Sequence, residues 1–402
     1  MDLGLLGYLG VFAVTASLTL VFTPMALRVA IRRQILDEPS DIKAQVSPVP
    51  YLGGAAIVAS FAIAVLVGAL LKPPNNGIRD LAIVLGLGIF LAALGLLDDL
   101  RGLSPWLRLA LELLVGLAVW AGPARAELTG VPALDASLTV VWIVGITNAF
   151  NLLDNMDGLS AGVAAIAGLS FFAMAAEGQQ FLVATLAIAL VGCALGFLRS
   201  NFHPARIYMG DAGALFLGFM LAVLGMKLRF PDGPRTIVFT VPIVVLGVPI
   251  FDTVLVTLNR LRHDRNPMSG GRDHTSHRLV FVGIPVRATV ALIYVGGASL
   301  GVLGFVIAHG DRVVGSVVLI WLSSIAAVLG VLLSLVPVYE SSTRRHLLLQ
   351  EVARHEHELG PASEGLSDPP VESRRDRTRG RAQRLAAVLV RPLRADLRRR
   401  GR

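Results

Sequence analysis

Charge is scarce in this chain and cysteine almost absent. Asp, Glu, Lys and Arg make up 16% of the 402 residues, hydrophobic residues make up 54%, and the mean hydropathy is +0.69. That balance excludes a soluble globular protein and indicates a polytopic membrane protein. The one cysteine, Cys193, lies within an apolar segment, which excludes an intramolecular disulfide and a cysteine metal cluster. No convincing internal repeat is present. Lysine is rare too: Lys43, Lys72 and Lys227 are the three in an otherwise arginine-using chain. The net charge of +8 suggests nucleic acid at first sight, but 15 of the 36 Lys and Arg lie after Val338, so the rest is only mildly basic.

What is abundant is long apolar runs. A spanning helix needs ~20 mostly apolar residues. Eleven segments are predicted, at about 4–27, 51–71, 81–97, 107–122, 137–153, 159–176, 181–197, 212–228, 237–256, 284–308 and 314–337. The first has no basic stretch before it and no small-residue cleavage site after it, and reads as a retained helix. The expected fold class is an all-α polytopic membrane protein, a bundle of about 10–11 transmembrane helices. Residues 1–337 form the membrane domain. Residues 338–402 form a cytosolic arginine-rich tail, partly helical or disordered, suited equally to anionic lipid headgroups and to solvent.

Loop charge sets the orientation. Thirteen Lys and Arg between Arg28 and Arg278 fall on one side and seven on the other, before the tail is added. The N-terminus is therefore expected outside and the C-terminus inside. With that topology the polar clusters at 37–54, 98–108, 148–158, 199–213 and 252–279 all reach the cytosolic face. Few charges fall inside the spans, Glu112 being the clearest. A transporter would carry them there and at outer gates.

The cluster at 148–158 closes an apolar run with three amides and two acids. Asn148, Asn151 and Asp154 recur at helical spacing, with Asn155 and Asp157 following, so a polar face is expected over an apolar back. The alternative is a helix simply ending in a polar loop. Asp98 and Asp99 sit together where the third span ends. Adjacent acids there oppose the helix dipole and call for a positive partner, either Arg101 nearby or a divalent cation such as Mg²⁺. Asp211, flanked by glycines before an apolar span, suits a helix cap or a metal ligand. It shares its loop with Asn201, His203 and Tyr208, whose ring offers a flat face for a base. In the first loop, prolines and the paired Gly53 and Gly54 make a rigid turn, and Lys43 suits a phosphate. His274 and His277, with Arg272 and Arg278, resemble an anion-binding loop more than a zinc site. Arg260, Arg262 and Arg265 read as charges that hold topology.

Five ordered motifs carry a resemblance: D-E-P…K…P-V-P-Y-L-G-G, L-L-D-D-L, N-A-F-N-L-L-D-N-M-D-G-L, Y-M-G-D-A-G and F-D-T…H-T-S-H-R-L. Together, over about residues 1–337, they resemble the polyprenyl-phosphate N-acetylhexosamine-1-phosphate transferase family, which also contains the phospho-N-acetylmuramoyl-pentapeptide transferases. The resemblance implies a cytosolic active site in the plasma membrane, with Mg²⁺, or Mn²⁺ as an alternative. A phosphate oxygen of polyprenyl phosphate attacks the β-phosphorus of a UDP-amino sugar, giving UMP and polyprenyl-diphosphate-sugar, the first membrane step of cell-envelope glycan synthesis. It implies Asp211 as Mg²⁺ ligand with Asp99, and Asp98 and Asp99 holding or deprotonating the lipid phosphate. Asn148, Asn151, Asp154 and Asp157 would line the nucleotide side and Tyr208 would stack on uracil. Lys43, Asn201, Arg272, His274 and His277 would contact phosphates or the sugar nucleotide. The implied partners are these two substrates, the lipid bilayer and a second copy in a homodimer, with no nucleic acid. The alternative function is a lipid-linked sugar or nucleotide-sugar flippase. Four positions depart from the family pattern: Ile42 and Gln45 replace Arg and His around Lys43, Ser276 replaces a His, and Asn155 replaces a Gly. The missing third histidine points away from a muramoyl-pentapeptide donor and toward an N-acetylhexosamine such as N-acetylglucosamine.

Overall fold

An apolar run in lipid has to satisfy its backbone polar groups internally, so this chain has little choice but helix. The computed structural model describes residues 4–38, 48–71, 78–122, 125, 127–230, 237 and 239–339. Lys43, with Ile42 and Gln45, and the tail from residue 340 lie outside the described residues. The helices are α1 (Gly4–Arg33), α2 (Gly53–Leu71), α3 (Ile78–Arg101), α4 (Pro105–Ala121), α5 (Pro132–Leu153), α6 (Leu159–Glu177), α7 (Phe181–Asn201), α8 (Gly210–Lys227), α9 (Val241–Val245), α10 (Gly247–Arg262), α11 (Thr275–Phe281), α12 (Val286–His309) and α13 (Arg312–Ser334). Two two-residue strands, β1 (Leu36–Asp37) and β2 (Val49–Pro50), pair antiparallel.

Among the described residues nine helices, α1 to α3, α5 to α8, α12 and α13, are long and apolar enough to cross a membrane. The protein is a multi-pass membrane protein. Two of the eleven expected spans differ. The segment at 107–122 is α4, a 17-residue helix started by Pro105, about 25 Å long at ~1.5 Å per residue. The segment at 237–256 is broken between α9 and α10. Pro249 has no N–H to offer the Val245 carbonyl one turn back, so a straight helix cannot run through.

At the centre stands α8, with every residue from Ala212 to Gly225 buried. A helix apolar on all sides belongs there. Around it pack α2, α3 and α5, while α7 joins α1 to α6. At the opposite extreme, α13 buries Gly315 and Leu333 and leaves Ile320, Trp321 and Val328 exposed, a surface matched to lipid.

The first turn of α8 is reached by two glycines. A Cβ on Gly54 would lie 2.2 Å from the Gly213 nitrogen, and one on Gly95 would lie 2.5 Å from the Asp211 carbonyl. Only a missing side chain lets α2 and α3 approach so closely. Gly95→Ala is expected to destabilise the bundle by about 1–3 kcal/mol, read as a lower thermal midpoint in detergent. An unchanged midpoint would show that the contact is not tight.

Candidate active site

Hydrogen bonds join five loops that are distant in sequence. Tyr51 donates its hydroxyl to the Asp99 carbonyl at 3.0 Å. Gly53 and Gly54 donate to the Tyr208 and Met209 carbonyls at 3.0 and 2.9 Å, and Tyr208 N donates to Pro50 O at 2.8 Å. Gly158 N donates to Asn201 Oδ1 at 3.0 Å, and Ser276 Oγ to Asn155 Oδ1 at 2.6 Å. The five polar clusters of the sequence are thus one structure.

Its centre is acidic. The last turn of α3 carries Asp98 and Asp99, and the first turn of α8 carries Asp211. Asp99 accepts from the backbone N–H groups of Asp211 (3.1 Å) and Ala212 (3.4 Å), a carboxylate at a helix N-terminus, where the dipole favours it. Asp211 is not the cap of α8: Met209 holds that position and Asp211 lies within the first turn. Asp98 Oδ2 and Asp211 Oδ2 each lie 2.9 Å from the same atom, Arg108 Nη1.

Arg108, not the exposed Arg101, is therefore the positive partner that the paired acids require. One turn on, Glu112 lies 3.5 Å from Arg108 Nε and accepts from Asn148 Nδ2. The signal that could have found this pair was the i,i+4 spacing of Arg108 and Glu112, with an acid inside an apolar run.

The acidic wall at 148–158 is not one helical face. α5 ends at Leu153, Asp154 is its C-cap, and Asn155 to Gly158 form a turn before α6. Gly158 takes φ 77°, a left-handed conformation that suits glycine. The Asn151 amide faces the Asp211 carboxylate. The Asp154 carboxyl is pushed up to about 8, first by burial and then by the charges of Asp211, Asp99 and Asp157. Asp157 lies 2.8 Å from His203 Nδ1 and accepts from Ala205 N at 3.0 Å. Asn201 is buried, with its amide committed at both ends to backbone, Gly158 N and Ile207 O. Tyr208 is half-buried, and burial with the Asp157 charge raises its hydroxyl further, so the phenol stays neutral.

On the histidine loop, His274 Nδ1 lies 2.8 Å from the buried carboxylate of Asp252 on α10, which also accepts from Thr275 N at 2.6 Å. This orients the His274 ring. His277 lies 5.8 Å away, ring to ring, and its buried Nδ1 has no hydrogen-bond partner among the described residues. Burial and then the His274 charge bring it down to about 4, so it is a neutral imidazole near pH 7. Arg272 is exposed. Arg278 points elsewhere, donating to the Leu333 carbonyl at 2.8 Å, and so does not serve the anion loop. Nor is Arg260 a solvated topology charge: it is buried and grips both oxygens of Asp273 at 2.8 and 2.7 Å. Burial alone would raise Asp273, but the bonds from Arg260 and the Tyr339 hydroxyl hold it at about 2.

Among the described residues no group of three or more His, Cys, Asp or Glu side chains is arranged to hold an ion. Mg²⁺ does not require one, since it commonly takes one or two carboxylates and completes its shell with water and substrate phosphate. Two carboxylate oxygens that already converge on one cationic nitrogen fit that ion.

The description of glycosyl transferase family 4 matches residues 81–229. The chain is 36% identical over 322 residues to a probable undecaprenyl-phosphate N-acetylglucosaminyl 1-phosphate transferase of Bacillus subtilis (strain 168), covering 78% of this chain and 86% of that protein. It is 31% identical over 330 residues to the decaprenyl-phosphate N-acetylglucosaminephosphotransferase of Mycolicibacterium smegmatis, covering 74% and 80%. Over 250 residues it is 31% identical to a phospho-N-acetylmuramoyl-pentapeptide-transferase of Bacillus mycoides, covering 57% and 76%. With its motifs joined in one polar site and relatives matched over most of their length, this chain belongs to the polyprenyl-phosphate N-acetylhexosamine-1-phosphate transferases of glycosyl transferase family 4.

Proposed function

We propose that the protein transfers N-acetylglucosamine-1-phosphate from its UDP derivative to polyprenyl phosphate, releasing UMP and beginning a cell-envelope glycan. The observation that carries this reading is the convergence of Asp98, Asp99, Asp211 and Arg108 at the joined ends of α3, α4 and α8. The names of the two N-acetylglucosamine relatives support the donor. The flippase alternative has no observation in its favour.

In this reading an oxygen of the lipid phosphate forms a bond to the β-phosphorus of the donor. The bond from that phosphorus to the oxygen shared with the α-phosphate breaks, and UMP leaves with that oxygen. Bringing two anions together makes positioning and electrostatics the main catalytic terms. Asp211 with Asp98 would hold Mg²⁺ or Mn²⁺, which would supply positive charge to the phosphates, while Asp99, expected as a ligand, is taken by the N–H groups of Asp211 and Ala212. Asp98 is placed to hold or deprotonate the lipid phosphate, and Arg108 supplies a fixed cation. Asp154, its carboxyl raised first by burial, lines that wall with Asn148, Asn151 and Asp157. Tyr208 offers its ring to uracil, and neutral His277, with Lys43 and Arg272, contacts the sugar nucleotide. His274 orients the loop. We place this site at the cytosolic face of the plasma membrane, N-terminus outside and C-terminus inside, on the excess of basic residues in the loops that carry it. Assembly as a homodimer is open to mass measurement in detergent.

The test mixes purified protein, Mg²⁺, polyprenyl phosphate and a panel of UDP-sugars and follows UMP. Release is expected, fastest with UDP-N-acetylglucosamine; no UMP from any donor would overturn the reading. A pH profile tests Asp154. As pH rises through about 8 its carboxyl ionises, which adds negative charge beside Asp99, Asp157 and Asp211 and repels both substrates. kcat/KM is expected to fall along one limb there, and Asp154→Asn, neutral at every pH, is expected to remove the limb. An unchanged limb in that variant assigns the titration to another group.

A further inference from the structure

Asn155 and Ser276 lie 121 residues apart and are bonded to each other. Ser276 Oγ donates to Asn155 Oδ1 at 2.6 Å, and Asn155 Nδ2 donates to the Leu152 carbonyl at 2.7 Å, in the last turn of α5. Ser276 is 1% exposed, so water has little access to compete for the bond. Each partner sits among groups assigned to the reaction. Asn155 lies between Asp154 and Asp157, and Ser276 between His274 and His277.

The two loops are otherwise held from other directions. The turn after α5 is anchored through Gly158, whose N–H reaches Asn201 and whose carbonyl accepts from Tyr294 at 2.6 Å. The histidine loop is anchored to α10 through Asp252 and to α13 through Arg278. Those ties run to the helices around the two loops, α7 and α12 for the acidic turn and α10 and α13 for the histidine loop. The Asn155–Ser276 bond runs directly from the acidic wall to the histidine loop.

We propose that Asn155 and Ser276 are a positioning pair, whose hydrogen bond sets the spacing between the acidic wall and His277 and thereby the fit of the nucleoside diphosphate-sugar. The inference rests on the transferase reading above. Neither side chain has to touch substrate. Both act through neighbours that line its site, so loss of the bond loosens the sugar-nucleotide pocket and leaves the Asp98–Arg108–Asp211 centre in place. The amide and hydroxyl are complementary and short, and a longer or shorter partner on either side changes the gap.

The experiment measures UMP release by the full-length protein with Mg²⁺, UDP-N-acetylglucosamine and polyprenyl phosphate, for Asn155→Ala, Ser276→Ala, the double variant and Ser276→Thr, which keeps the hydroxyl. Each alanine variant is expected to raise KM for the sugar nucleotide about tenfold with KM for polyprenyl phosphate unchanged, the effect of losing a coupling of ~1.4 kcal/mol. The double variant is expected to be no worse than either single one, and Ser276→Thr to stay within about twofold of the original. Additive losses, equal rises in both KM values, or unchanged kinetics in both singles would each overturn the pairing. If an alanine variant does not fold, Ser276→Cys, similar in shape with a weak S–H donor, carries the same expectation. A wild-type protein that releases no UMP sinks the transferase reading itself, whereas an active wild type with indifferent variants sinks this inference alone.

Discussion

Asp211→Asn is expected to lower kcat about 10³-fold at saturating Mg²⁺, the scale of removing one electrostatic element from a preorganised site. The substitution keeps size and shape, and an Asn oxygen can still accept from Arg108 Nη1, which lies 2.9 Å from Asp211 Oδ2. Folding should therefore survive, and the thermal midpoint should hold or rise as a charge leaves an acidic cluster. The missing charge is what a hard cation needs. The Mg²⁺ concentration for half-maximal UMP release should rise accordingly. Full activity of the variant at limiting Mg²⁺ would remove Asp211 from the ion's site.

Arg108→Ala is expected to cost about 10²-fold in turnover and to move the Mg²⁺ dependence the other way. Without the guanidinium, Asp98 and Asp211 face each other across a gap no wider than twice 2.9 Å. Their repulsion is then about 3 kcal/mol at an effective dielectric of ~20. A more negative site binds a divalent ion more tightly, so half-saturation is expected at lower Mg²⁺ even as kcat falls. Glu112, buried beside Arg108, loses its cation as well, which should lower the thermal midpoint. Arg108→Lys should recover part of the turnover, because one ammonium restores charge without the forked donor geometry. Unchanged Mg²⁺ dependence in Arg108→Ala would make the residue a structural tie.

Much of the architecture was legible beforehand. Nine of the eleven expected apolar segments are single helices of 18 residues or more, and the other two are also helical but depart locally, α4 being 17 residues long after Pro105 and 237–256 breaking at Leu246 beside Pro249. The polar face at 148–158 was legible as residues and not as geometry. Periodicity carried the polar face on through Asn155 and Asp157, whereas α5 ends at Leu153 and the chain turns through the left-handed Gly158 into α6 at Leu159. Loop charge misread Arg260 and Arg278, because composition counts an arginine without seeing whether Asp273 or the end of α13 has taken it.

The sequence by itself determined the membrane class, the approximate spans, the motif set and the family. These follow from hydropathy and local residue order, since lipid leaves a long apolar run little alternative to helix. The tertiary structure decided which charge meets which: Arg108 with Asp211 across 103 residues, Asp99 on the first turn of α8, Asp252 behind His274, and Ser276 on Asn155. Such pairings depend on through-space distance and burial. They exist only once glycines such as Gly54 and Gly95 have let the helices close on one another.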